Sequence, residues 1–175
     1  MPFILSLIIG TVLIALFSWF FSIKARRYHG LARFFSFESI LVLVLLNAKH
    51  WFERPFSVWQ VVSWVLLAAS AFLAVQGFIL LQRMGKPENS IETTTRLVTR
   101  GAYRFIRHPL YGSLALLGTG AFLKHVDWLT TALAAANLLA AYFTARIEEG
   151  EMLAKFGAEY TAYMKRTKMF IPWVL

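Results

Sequence analysis

Residues 2–23 and 56–81 run for 22 and 26 positions without a single charged side chain. A helix needs roughly 20 apolar residues to cross the hydrocarbon core of a bilayer, so either stretch is long enough to span. The rest of the composition agrees: 58% of the 175 residues are hydrophobic and 15% charged, where a soluble chain carries about 25% charged residues. A single domain is the default at this length. With no cysteine, a disulfide framework, a thiolate metal site and a thiol nucleophile are all excluded. The formal charge of +9 is assigned to anionic lipid and the positive-inside rule, not to nucleic acid.

The first apolar stretch has nothing basic ahead of it and no small-residue cleavage site after it, and Lys24, Arg26 and Arg27 follow directly. It is expected to be an uncleaved anchor. Residues 128–145 give a further 18 uncharged positions. Two shorter runs, 34–48 with Glu38 inside it and 110–123 with 14 residues, can span if their polar ends reach headgroups or protein.

Charge decides their number. With five spans and the N-terminus outside, the inner segments hold Lys24, Arg26, Arg27 and Arg33, then Arg83, Lys86, Arg96, Arg100, Arg104 and Arg107, then Arg146, Lys155, Lys165, Arg166 and Lys168. Only Lys49, Arg54 and Lys124 stay outside, a bias of fifteen to three among 18 basic residues, as the positive-inside rule requires. The expectation is an all-α, multi-pass integral membrane protein with five transmembrane helices, sited in a prokaryotic cytoplasmic membrane. Residues 1–82 would hold three spans. Residues 83–175 would hold a connecting loop, two spans, an amphipathic tail and a cytoplasmic-facing site.

The connection 83–107 contains Gly85, Pro87, Asn89 and Thr93 to Thr95, so it begins as a loop. It ends in Leu97-Val98-Thr99-Arg100-Gly101-Ala102-Tyr103-Arg104-Phe105-Ile106-Arg107-His108-Pro109-Leu110-Tyr111-Gly112. Pro109 suits the first turn of a helix and disfavours helix at the residue before it. His108 then lies beside the unpaired N–H groups of that turn, an end that favours an anionic group, with Arg104 and Arg107 adding charge. The plainer reading makes the arginines a boundary marker and Tyr103 and Tyr111 interfacial aromatics; the density of the cluster speaks for more.

A second cluster follows the last span: Arg146-Ile147-Glu148-Glu149-Gly150-Glu151 and on to Lys155-Phe156-Gly157. Acids add little to topology, and their burial is costly. Glu151 is expected to pair with Lys155 at i,i+4 in water, with Glu159 also solvated. Glu148 and Glu149 stand closer to the membrane and are free to receive a cation. They differ by about 100° around a helix, so one of them faces a site. Phe156, Tyr160 and Tyr163 follow a helical spacing suited to packing, and the apolar residues 170–175 are expected to dock.

Together, Gly101-x-Tyr103, Arg107-His108-Pro109-x-Tyr111, Glu148-Glu149, Phe156-Gly157, Tyr160, Tyr163 and Ile171-Pro172 resemble the isoprenylcysteine carboxyl methyltransferase and phospholipid methyltransferase superfamily. Phe37-Glu38-Ser39, opening the second span, is similar to archaeal members. The resemblance implies S-adenosylmethionine as cofactor, with Tyr103, His108, Pro109, Leu110, Tyr111, Glu148 and Glu149 around it and the acid receiving its ammonium. It implies Arg107, Arg104 and Glu149 as catalytic residues, the arginines orienting an anionic acceptor, with Arg146 a weaker candidate. The implied partners are a lipid-like or small amphipathic acceptor, carboxylate or amine, and membrane lipids, with no metal. Sterol reductases share the arginine-histidine-proline-x-tyrosine helix start but continue with a glycine-aspartate pair, where this chain has Ser113-Leu114. A non-catalytic scaffold is the remaining alternative, and the presence of both clusters argues against it.

Overall fold

The computed structural model describes residues 2–25, 27–86 and 94–172. These residues fold into α1 (Pro2–Phe21), α2 (His29–Leu46), α3 (Val58–Met84), α4 (Pro109–Phe122), α5 (Trp128–Phe156) and α6 (Ala158–Arg166), with no strand among them beyond one isolated bridge. Each long helix starts where the local chemistry allows. Ser57 accepts from Gln60 N ahead of α3, Pro109 occupies the first turn of α4, and Asp127 and Thr130 form a reciprocal capping box for α5.

Four helices, α1, α2, α3 and α5, are long and apolar enough to cross a membrane. The fifth expected span, α4, has 14 residues and a length of about 21 Å, short of the hydrocarbon thickness. It nevertheless joins the two ends of the bundle. Pro109 and Leu110 pack on Gly77 near the end of α3, and Gly120 packs on Ser63 and Leu67 near its beginning, so α4 runs antiparallel to α3. Side chains of the neighbouring segments reach its backbone carbonyls. Ser63 Oγ donates to Gly120 O at 2.6 Å, Asn47 Nδ2 to Ala121 O at 2.8 Å, and Ser70 Oγ to Ser113 O at 2.7 Å. A helix end in an apolar medium needs such partners.

Asn137 on α5 is the polar node of the interior. Fully buried, it accepts from Ser36 Oγ of α2 at 2.7 Å and donates to Leu114 O of α4 at 3.1 Å. Gly118 makes room for it, since a Cβ there would meet Asn137 Nδ2 at 2.0 Å. Gly118→Ala is therefore expected to cost about 1–3 kcal/mol by overpacking, read as a lower thermal midpoint in detergent. An unchanged midpoint would mean that α4 and α5 part freely.

The outer helix α1 packs on α2, with Thr11 donating to Glu38 across the pair. Two sequence-based boundaries need correction. The second span opens at His29, not near Phe37, because Gly30 fits against Ser22 and starts the helix a turn and more earlier. The last span does not stop at residue 145: α5 continues to Phe156 and carries the acidic cluster.

Candidate functional site

The α1–α2 turn, the connection after α3, and the end of α5 with α6 and the tail meet at one end of the bundle. There the chain closes a cavity lined by Arg33 and Leu81, by Thr94 to Val98 except Thr95, by Tyr103, by Arg107 to Tyr111 except Pro109, and by Glu148, Met152, Phe156, Tyr160 and Tyr163. Residues 87–93, with Pro87, Asn89 and Thr93, and residues 173–175 lie outside the described residues.

Two local structures hold the cluster around His108. The tail pairs with it as a short extended segment: Lys168 N donates to Phe105 O at 3.1 Å, Arg107 N to Lys168 O at 2.8 Å, and His108 N to Met169 O at 3.2 Å. The turn Gly101–Arg104 is pinned from both sides. Ala102 N donates to Gln76 Oε1 on α3 at 3.1 Å, and Tyr163 Oη on α6 donates to Tyr103 O at 2.6 Å. Helix α6 can face the cavity because Gly157, at φ 51° and ψ −121°, breaks it from α5 in a backbone region open to glycine. Phe156, Tyr160 and Tyr163 are thus not one continuous stripe: Phe156 ends α5, the two tyrosines sit on α6, and all three line the cavity.

The acids divide as their 100° separation requires. Glu148 lines the cavity beside Tyr111 and stands 3.5 Å from His108 Nδ1. Glu149, 2% exposed, lies behind it and gathers cations. Arg107 Nε donates to its Oε1 at 2.6 Å, Arg146 Nη1 lies 3.4 Å from Oε2, and His108 Nε2 lies 3.5 Å from Oε1. Arg107 Nη1 also donates to Thr167 O at 2.5 Å, tying the tail to the motif. His108 stacks on Tyr111, ring centroids 5.6 Å apart, and its buried Nε2 makes no hydrogen bond.

Glu151 departs from expectation. Among the described residues it accepts from no lysine; it pairs with buried His29 Nδ1 of α2 at 2.9 Å, while Lys155 Nζ donates to Thr94 O at 2.6 Å. Arg104 lies on the exposed surface, its guanidinium over the Phe105 ring at 5.8 Å, away from the cavity. Pro109 is buried against Gly77 and shapes the turn from behind. Tyr103 and Tyr111 are buried and not interfacial. Sequence reasoning missed Arg33, a buried α2 residue on the cavity wall; a basic residue inside an apolar run, six positions beyond the nearest basic neighbour, was its only signal.

Burial disfavours the His108 imidazolium, but Glu148 and Glu149 more than offset it and hold its pKa above the ordinary value. Burial and the nearby glutamate charge push the Tyr103 and Tyr160 phenols upward, and burial does the same for Tyr163. These tyrosines stay protonated at neutral pH. A raised histidine pKa stabilises the fold fully below about pH 6.5, the unfolded value, and that contribution is lost as pH rises through the higher folded value. The thermal midpoint is expected to fall over this window, and His108→Asn to flatten the profile. A wild-type midpoint that climbs there, with the variant following it, would sink the assignment.

The arrangement suits a charged ligand with apolar surface: a carboxylate, several cations and aromatic walls line one cavity. Comparison with known proteins points the same way. The phospholipid methyltransferase family model matches residues 58–159. Methanethiol S-methyltransferase 1 of Bradyrhizobium diazoefficiens is 27% identical over 203 residues, covering 96% of this chain and 67% of that protein. Protein-S-isoprenylcysteine O-methyltransferase B of Arabidopsis thaliana is 26% identical over 159 residues, covering 87% and 78%. Methanethiol S-methyltransferase of Crocosphaera subtropica is 30% identical over 120 residues, covering 63% and 44%. With both motif clusters inside or bordering the matched region and four membrane-crossing helices around them, the chain belongs to the phospholipid methyltransferase family and is an integral membrane methyltransferase.

Proposed function

We propose that the methyl donor is S-adenosylmethionine, held in the cavity at the His108 turn, and that the acceptor is a lipid-like or small amphipathic molecule that reacts as an anion. The observation that carries this reading is the pairing of Glu148 and His108 on one buried wall. S-Adenosylmethionine supplies an electrophilic methyl group on a sulfonium, so the protein must align the partners and keep water out. Glu148 would receive the ammonium, with His108 beside it. The walls Tyr103, Tyr111, Phe156 and Tyr160 exclude water and offer ring faces to a cation.

Three arginines on the cavity, Arg33, Arg96 and Arg107, favour an anionic nucleophile. A carboxylate is ionised at pH 7, and a thiol is drawn toward thiolate by neighbouring cations. One cavity lined by arginines thus accommodates both the S-methyl and the O-methyl transfer that the relatives' names give. An amine would need a base, and the glutamates beside His108 favour its protonated form, which cannot act as one. Arg107 would orient the acceptor through Nη2, which neither of its 2.5 and 2.6 Å bonds uses; Glu149 acts through Arg107. Arg104 could contribute only from outside the cavity. The fifteen basic residues of the site-end segments support a site facing the cytoplasm of a prokaryotic cell. The division into residues 1–82 and 83–175 puts the motifs in the second part, with Arg33 and Leu81 of the first completing the wall.

The test is ligand titration of the protein in detergent with thermal stability as readout. S-Adenosylmethionine and S-adenosylhomocysteine are expected to stabilise it by about 2.7 kcal/mol at 100 times their dissociation constants. Stabilisation by a nicotinamide nucleotide alone would overturn the donor. Label transfer from S-adenosylmethionine to an alkanethiol or prenylcysteine, against phosphatidylethanolamine, then reads the acceptor class; transfer to the amine alone would overturn the anionic nucleophile.

A further inference from the structure

At the opposite end of the bundle, the short segment between α4 and α5 carries a cation that methyl transfer does not use. Lys124 is 5% exposed. Its Nζ lies 3.6 Å from the centre of the Trp64 ring and 5.2 Å from that of Trp51, and it donates to Gln60 Oε1 at 3.0 Å. Among the described residues, no carboxylate stands within ion-pair distance of it. Burial holds its pKa below the ordinary lysine value, so the ammonium stands to gain from an anion. The carbonyl end of α4 nearby gives some compensation, already shared with Asn47 and Ser63.

An open cavity lies against this lysine, lined also by His50, Glu53, Arg54, Ser57, Gln60 and His125. The two imidazoles stack, centroids 4.2 Å apart and 11° from parallel. His50 Nδ1 meets Glu53 Oε2 at 2.6 Å, and His125 Nε2 lies 3.7 Å from Asp127 Oδ2. Each acid is thus committed to a histidine, and neither answers Lys124 or Arg54. The surroundings are apolar and uncovered: Phe56 is 92% exposed and Trp128 82%, with Trp59 and Val126 also exposed. A cavity with two cations against one histidine-paired acid, and with an apolar rim, lies at the end of helices long enough to cross a membrane, and it matches an anionic head that carries acyl chains.

We propose that this cavity binds the phosphate of an anionic phospholipid, with Lys124 and Arg54 on the phosphate and the acyl chains along the exposed rim. It is separate from the methyl-transfer site and does not depend on that site's chemistry. The lipid would lock α3 to the α4–α5 segment at the far end of the bundle.

The probe is short-chain phosphatidylglycerol added to the detergent-solubilised protein, compared with phosphatidylcholine of equal chain length and with inorganic phosphate. Phosphatidylglycerol is expected to bind about tenfold more tightly than phosphatidylcholine, the equivalent of one lost surface ion contact. Lys124→Met and Arg54→Gln should each remove that preference, with far-ultraviolet circular dichroism unchanged. Because Lys124 is buried, its variant can lose its fold; Arg54 is exposed, and its variant then carries the test alone. Equal affinity for the two lipids, or a preference that survives both substitutions, would overturn the site. Equal stabilisation by inorganic phosphate would overturn the lipid as its occupant.

Discussion

Glu148→Gln is expected to weaken S-adenosylhomocysteine binding by about 10- to 100-fold, the worth of one hydrogen bond to a charged group, with little change in fold. The substitution keeps the shape of the side chain and removes the charge that faces the cavity beside His108. The neighbouring acids should respond differently. Glu149→Gln removes the charge shared by Arg107, Arg146 and His108, so its main effect falls on stability and on the setting of Arg107. Glu151→Gln breaks the link to His29 and should leave ligand affinity within about twofold, as changes away from a binding site do. Calorimetric titration of the three variants separates these outcomes. Equal and negligible losses at Glu148 and Glu151 would return the whole cluster to a solvated helix end.

The division of labour between these acids marks the limit of what the sequence makes legible. Helical periodicity says that Glu148 and Glu149 face different ways, yet not which one faces the cavity, because that depends on how α5 is rotated against α2 and α4. The same holds for Glu151. Its i,i+4 partner Lys155 is visible in the sequence, whereas His29, which takes it, is 122 positions distant. Pro109 and the Asp127–Thr130 box are local signals, and the helix starts they mark lie where local chemistry puts them. The end of α5 is not local: hydropathy stops at residue 145, but hydrogen bonding and packing on α6 carry the helix to Phe156. Arg33 belongs to the same class. As one charge in an apolar run it reads as a topology marker, and only the approach of α2 to α5 turns it toward the cavity.

Arg107→Met should be the most damaging single change at the site, costing about 3–5 kcal/mol of stability, because it strands a buried carboxylate. Glu149 keeps only Arg146 at 3.4 Å and His108 at 3.5 Å, and the tail loses its 2.5 Å anchor at Thr167 O. Removing the stranded charge should repair much of this. In Arg107→Met/Glu149→Gln the loss is expected to be smaller than the sum of the two single losses by about 1–3 kcal/mol, the range for residues in one ionic network. A strictly additive pair, measured by urea or thermal unfolding in detergent, would mean that Glu149 does not depend on Arg107. The double variant also isolates the chemistry. If its fold and its S-adenosylhomocysteine affinity recover while turnover stays low, the remaining deficit lies with the acceptor. That deficit would belong to Arg107 Nη2, the edge of the guanidinium that the fold leaves uncommitted. If turnover recovers with stability, Arg107 is a structural cation that holds the tail over the cavity, and the anionic acceptor must be oriented by Arg33 or Arg96 instead.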